Sequence, residues 1–198
     1  MLILNIAAGK LKPILKDVEE LASYALVNLD TSYYRSTAPE LIETDLSKWY
    51  SDGDRCNVKY YCNKDAFEFM ERTTIQFDRI CLYRFLEHIP FDRIMYFIYL
   101  LSTVIRKGGL IDIIVPNYRI LAQMLLDEKV NHPDFEKNNI LLTTELVNEP
   151  GCPHASIWTA DRAIHFFQME GRFVIKEIDQ NYSFDGRNIY LRFKAKRI

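Results

Sequence analysis

The sequence predicts an α/β fold on a mostly parallel sheet of seven strands, the last one antiparallel. Three observations carry this. Short apolar runs alternate with stretches of helical periodicity from the first residues to about residue 129. Each run is cut off by a small residue, an acid or a proline. The last two runs are joined by a short polar link around Asp185-Gly186. Alternation of this kind places helices on both faces of a parallel sheet through right-handed crossovers. A short link cannot make such a crossover, so it joins an antiparallel pair.

In chain order, Leu2 to Ile6 is an apolar run ending at Ala7-Ala8-Gly9, as a buried parallel strand would. Leu11 to Tyr24 suits a helix with Pro13 confined to its first turn. Ala25 to Asp30 is a second strand stopped by an acid. Glu40, Leu41, Ile42, Leu46, Trp49 and Tyr50 fall at helical spacing between Pro39 and Gly53, and proline favours helix starts while glycine favours the position past the end. Asn57 to Cys62 is rich in strand-forming residues, and Asp65 to Arg72 suits a short helix. Gln76 to Tyr83 reads as a fourth strand, followed by an apolar helix from Pro90 to Lys107 that Gly108 closes. Leu110 to Val115 is a fifth strand, apolar except for Asp112, and Asn117 to Lys129 is helical.

The pattern then changes. Asn131 to Asn139 is mostly polar, Ile140 to Val147 resembles an inserted strand, and Asn148 to Pro153 is a loop stiffened by two prolines. Thr159 is placed to cap a helix from Ala160 to Glu170 that Gly171 stops. Phe173 to Ile178 and Asn188 to Lys196 close the sheet. The chain reads as one domain, 1–198, with an insert at about 128–158 as a substrate lid.

Composition narrows the function. Lys and Arg total 25 against 27 Asp and Glu, a net charge of −2. A chain with that balance has no overall basic field for nucleic acid or an anionic membrane. The most apolar window, Ile94 to Ile105, is short of the roughly 20 residues a bilayer span needs. Seven glycines and seven prolines, where average usage would give roughly 24 together, argue against linkers and disorder. Four scattered cysteines without a CxxC, and an N-terminus without a signal-peptide pattern, point to a reducing cytoplasmic setting. Cys152 and His154 are too close together to form a zinc site by themselves, and no second pair follows at ligand spacing, so no metal is expected.

Ligands of an open α/β sheet bind outside the carboxyl ends of its strands, where the strand order reverses. Candidate residues are therefore those just after each strand. Ala7-Ala8-Gly9 is either a tight turn or a place where a ligand approaches the backbone. Asp30, about 20 residues past that turn, is spaced to accept hydrogen bonds from a ribose, or is a solvated loop acid. Cys62-Asn63, Tyr83-Arg84 and Pro116-Asn117-Tyr118 complete the series.

The segments LNIAAGK (4–10), VNLD (27–30), FDRICLYRFLEHIP (77–90) and RKGGLIDIIVPN (106–117) carry a resemblance. The chain is similar to the class I S-adenosylmethionine-dependent methyltransferases with a small, three-layer Rossmann-like core. The resemblance implies S-adenosylmethionine as cofactor and an unidentified methyl acceptor. It implies that Ala7, Ala8 and Gly9 face the methionine part, Asp30 the ribose, and Cys62 and Asn63 the adenine. Tyr83 and Arg84 would flank the sulfonium and the substrate. Glu87-His88 matches the family's Glu-His pair. Ala7 stands where the family has its first glycine, and Asn63 where it has an acid, with Asp65 two residues on. A core this trimmed is compatible with a phage origin.

Methyl transfer needs positioned reactants and excluded water more than a nucleophile, and a base only where the acceptor must lose a proton. His154 is the candidate for that base, with Tyr118, Ser156 and Trp158 as substrate-binding residues. The competing assignment has His154 and Ser156 holding lid backbone and Trp158 in the core. The expected activity is a methyltransferase. The alternative is an inactive methyltransferase-like module for binding or assembly. The tetrapeptide of base-amino methyltransferases is absent, since Leu82-Tyr83-Arg84-Phe85 occupies its place.

Overall fold

The structure, a computed structural model, describes residues 1–6, 25–29, 58–62, 65–126, 154–184 and 186–198. Among them are strands β1 (Leu2–Ile6), β2 (Ala25–Leu29) and β3 (Val58–Cys62), helix α1 (Ala66–Arg72), strand β4 (Phe77–Tyr83) and helix α2 (Ile94–Val104). They continue with β5 (Ile105–Pro116), α3 (Tyr118–Leu126), α4 (Ala160–Glu170), β6 (Phe173–Phe184) and β7 (Arg187–Arg197). The helices expected over 11–24 and 40–53 and the strand expected over 140–147 lie outside the described residues, as does the insert up to residue 153.

The strands join in the order β3-β2-β1-β4-β5-β7-β6. Strands β1 to β5 run parallel, and β7 lies antiparallel between β5 and β6. The order reverses between β1 and β4, so the switch point lies at their carboxyl ends.

The period of two along each strand sorts side chains onto two faces. Leu2, Leu4 and Ile6 of β1, Ile80 and Leu82 of β4, Ile111, Ile113 and Val115 of β5, and Leu191, Phe193 and Ala195 of β7 form one cluster with α1, α2 and α4. Ile3, Cys81, Tyr83, Ile114 and Tyr190 face the other way, toward Leu121 of α3. Central strands covered on both faces require unbroken apolar runs, which is why LILNI does not alternate. Each such side chain contributes about 1.5–3 kcal/mol on burial.

Local chemistry sets the helix ends. The Asp65 carboxylate accepts from the backbone N–H groups of Phe67 at 2.9 Å and Glu68 at 3.3 Å, satisfying donors that the first turn of α1 leaves open. Thr159 caps α4 through the N–H of Arg162, and Gly171 ends it at φ 82°, in the left-handed region that suits glycine.

The helix expected from Pro90 to Lys107 is corrected. Two short 3-10 turns, Leu86–His88 and Phe91–Arg93, precede α2, and the helix stops at Val104. The β-branched run Thr103-Val104-Ile105 favours extended backbone at that point, and Ile105 pairs with Phe77 at the start of β4. The β4–β5 register then shifts, with Arg79 opposite Leu110. Arg106 to Gly109 bulge out opposite Asp78, whose carboxylate accepts from Arg106 Nη1 at 2.8 Å and from the Leu2 N–H at 2.7 Å. Gly109 is required there, because a Cβ would lie 2.6 Å from Ile105 Cγ1 and 2.9 Å from the Arg106 carbonyl oxygen. The final strands are also longer than expected, since β6 continues to Phe184 through register shifts.

Candidate functional site

The residues after β4 turn sharply at the switch point. Arg84 adopts φ 56°, and the described residues hold no other non-glycine residue at positive φ. Such a conformation costs of order 1–2 kcal/mol and marks a backbone held in place by its surroundings. Here the Arg84 N–H donates to the Ile114 carbonyl oxygen of β5 at 2.7 Å. This swings the chain into the 3-10 turn that carries Glu87 and His88.

That turn meets the segment leading into α4. The Glu87 carbonyl oxygen accepts from the N–H groups of Ala155 at 2.7 Å and Ser156 at 2.9 Å. The Ser156 hydroxyl donates to the Leu86 carbonyl oxygen at 3.0 Å and accepts from the Trp158 indole N–H at 3.0 Å. His154 is thereby fixed beside the turn. Its ring lies 4.9 Å from that of His88, its Nε2 is 3.9 Å from Glu87 Oε1, and its Nδ1 is 2.7 Å from the Tyr118 hydroxyl. Burial, then the electrostatic influence of the neighbouring His88 and Arg84 side chains, pull the His154 pKa down to about 3. The imidazole is therefore neutral near pH 7. It is suited to hydrogen bonding and ligation, and it is a weak proton acceptor.

The expected site residues divide into three groups. His154 and Tyr118 come together as a bonded pair, next to the Arg84–His88 turn. Trp158 does not shape a pocket: it is fully buried, packed on Phe166 and Phe193. Ser156 is buried as well, its hydroxyl engaged within the protein. The side chain of Tyr83 does not flank a substrate either. Its hydroxyl donates to Asp112 Oδ2 at 3.1 Å, and its ring packs on Phe184 on the α3 face of the sheet. The backbone of Cys62 ends β3, as expected. Ala7, Ala8, Gly9, Asp30 and Asn63 lie outside the described residues.

A charged cluster that spacing could not reveal lies under the sheet. Asp112 of β5 is fully buried. It accepts from Arg79 Nη2 at 2.7 Å, from Arg192 Nη2 at 2.7 Å and from Arg192 Nε at 3.0 Å. Burial alone would raise this carboxyl, but the Arg192 and Arg79 guanidiniums outweigh it and hold it below its ordinary range. The only signal in the sequence was one acid within an apolar strand. Its neighbour Cys81 is buried, which pushes the thiol up to about 12 and leaves it unreactive.

Asn117, just past β5, bonds across the sheet end. Its N–H donates to the Ile189 carbonyl oxygen at 2.8 Å and its side-chain amide to the Gln180 carbonyl oxygen at 2.7 Å. Beside it lies a polar surface pocket of about 400 Å³ lined by Asn117, Arg119, Ile120, Gln123, Gln180 and Asn181.

The fold defines a class. The chain is similar to a SAM-dependent methyltransferase from Methanosarcina mazei, at 15% identity and a TM-score of 0.58, over 100% of this chain and 92% of that one. It is similar to 1,6-didemethyltoxoflavin-N1-methyltransferase from Burkholderia thailandensis, at 14% identity and a TM-score of 0.57, over 99% of this chain and 70% of that one. It is also similar to magnesium protoporphyrin IX methyltransferase from Synechocystis, at 10% identity and a TM-score of 0.55, over 100% of this chain and 74% of that one. No protein-family model and no curated protein matches the sequence. The architecture is the Rossmann-like α/β fold of the class I methyltransferases. Among the described residues no helix is long and apolar enough to cross a membrane.

Proposed function

We propose that this protein is an S-adenosylmethionine-dependent methyltransferase whose acceptor is still to be identified. One observation carries the reading: the strand order reverses between β1 and β4, and the residue after β4, Arg84, is held at φ 56° beside the Glu87–His88–His154–Tyr118 cluster. A ligand of an α/β sheet binds at such a switch point. Structural neighbours solved with S-adenosylhomocysteine bound support that choice of ligand.

On this reading Ala7, Ala8 and Gly9 approach the methionine part, Asp30 holds the ribose, and Cys62 and Asn63 border the adenine. Tyr83 contributes through its backbone and Arg84 flanks the reacting centre. The methyl group passes from the sulfonium to an acceptor nucleophile in line with the leaving sulfur. The protein's part is to align the two and exclude water. His154 is a poor base because of its low pKa, and in this scheme it braces Tyr118 and the Glu87 turn beside the reacting centre. The insert at about 128–158 serves as the lid of a single domain, and scattered cysteines support a cytoplasmic setting.

Calorimetric titration with S-adenosylmethionine and S-adenosylhomocysteine tests the reading. Dissociation constants in the micromolar range (about −8 kcal/mol), lost in a folded Asp30→Ala variant, are expected. A folded wild-type protein that binds neither would overturn it in favour of an assembly module.

A further inference from the structure

We propose that Glu87, His88 and His154 form a binding site for one divalent transition-metal ion of the zinc type. One ligand atom from each residue lies within 4.8 Å of the other two. The 3.9 Å between His154 Nε2 and Glu87 Oε1 is too long for a hydrogen bond. Two ligands on one zinc ion, bonded at about 2.0–2.2 Å, sit about 3.4 Å apart, so small side-chain rotations close the site.

Three features build the site. The bonds from the Ala155 and Ser156 N–H groups to the Glu87 carbonyl oxygen hold the two segments together without any ion. The Tyr118 hydroxyl engages Nδ1 of His154. An outer partner of this kind fixes the ring orientation with Nε2 on the side of Glu87, and the hydroxyl can accept from Nδ1–H when Nε2 ligates an ion. The Glu87 side chain is fully buried, so its carboxylate is held beside the two imidazoles and out of bulk water.

Two imidazoles and one carboxylate select zinc-like ions over magnesium or calcium, which prefer all-oxygen shells. Three protein ligands also leave a coordination position open, as in reactive sites and unlike closed structural ones. The sequence holds no short metal motif because the ligands come from segments far apart in the chain. The inference stands apart from the cofactor reading.

The test uses the full-length protein, stripped with chelator and free of cofactor. It is titrated with Zn²⁺ by calorimetry and with Co²⁺ by visible absorption. One equivalent of each should bind. Loss of an outer partner typically weakens a site about 10–100-fold. Tyr118→Phe should therefore weaken binding about 10-fold and His88→Ala by more than 100-fold. His88 is half-buried, so its replacement should leave a native circular dichroism spectrum. His154→Gln provides a second ligand variant that keeps a polar side chain in place. The proposal fails if the folded wild type binds neither ion, or if binding is unchanged in both His88→Ala and His154→Gln. Neither result bears on whether S-adenosylhomocysteine binds.

Discussion

The Tyr118 hydroxyl sits 2.7 Å from Nδ1 of His154, joining the first residue of α3 to the segment that enters α4. The bond matters because the two elements cover opposite faces of the sheet. It places Nε2 of His154 on the side of Glu87.

Tyr118→Phe keeps the ring and deletes this bond. A typical buried hydrogen bond contributes about 1 kcal/mol. In a chain of this size that lowers the melting temperature by about 2–4 °C. Thermal denaturation measures it, and an unchanged midpoint would show that water replaces the hydroxyl at no cost.

Ser156→Ala should cost more, about 2–3 kcal/mol. It leaves the buried Trp158 indole N–H without the Ser156 acceptor, a loss of about 1–3 kcal/mol, and it removes one of two donors from the Leu86 carbonyl oxygen, which keeps the Ile89 N–H. Urea denaturation reads the loss. A change below about 0.5 kcal/mol would mean that neither group depends on the hydroxyl.

Asp112→Asn should destabilise by about 3–5 kcal/mol, since it leaves the Arg79 and Arg192 cations without their counter-charge. The pH dependence has a definite sign. The carboxyl is held below its ordinary value in the folded protein. Its contribution is therefore present above the unfolded pKa of about 3.9 and is lost as pH falls through the lower folded value. Urea midpoints measured downward from pH 5 should drop more steeply for wild type than for the variant, and parallel curves would rule the carboxylate out.

Gly109→Ala and Gly171→Ala separate two reasons for glycine. At 109 a methyl group would meet Ile105 Cγ1 at 2.6 Å and two backbone oxygens at 2.9 and 3.0 Å. Those oxygens belong to a paired strand and a bulge that cannot give way. Overpacking of this kind costs about 1–3 kcal/mol. At 171 nothing lies within 4 Å, and only the φ of 82° opposes a side chain, a cost of roughly 1–2 kcal/mol. Denaturation of Gly171→Asn should recover part of that loss, because asparagine tolerates the left-handed region, while Gly109→Asn should be worse than Gly109→Ala.

Much of the fold was legible locally. The strands at 2–6 and 25–29 were readable as short apolar runs, and 58–62, which lies at the sheet edge, as a run rich in strand-forming residues. The Thr159 cap and the Gly171 stop were readable because capping acts within one turn, whereas Asp65 was read as the first residue of its helix and caps it instead. The junction of α2 and β5 was misread because an apolar, β-branched stretch suits either state. The choice fell to the pairing of Ile105 with Phe77, a contact no local pattern announces. Of the site, His154 was singled out as a candidate base and Tyr118 as a substrate-binding residue just past β5, and the bond between them was not foreseen. Trp158 was open between pocket wall and core in the sequence, and its packing on Phe166 and Phe193 places it in the core.

The sequence by itself determined the alternation of strands and helices and the residues that start and stop them, because periodicity and capping act over a few positions. Only the tertiary structure decided that β7 inserts between β5 and β6. It alone brought Arg79 and Arg192 onto Asp112, and folded the segment at His154 against the Glu87 turn. These arrangements join residues far apart in the chain. Their energies depend on which strand lies beside which and on removing the charges from water together, and neither condition is written in any short stretch of residues.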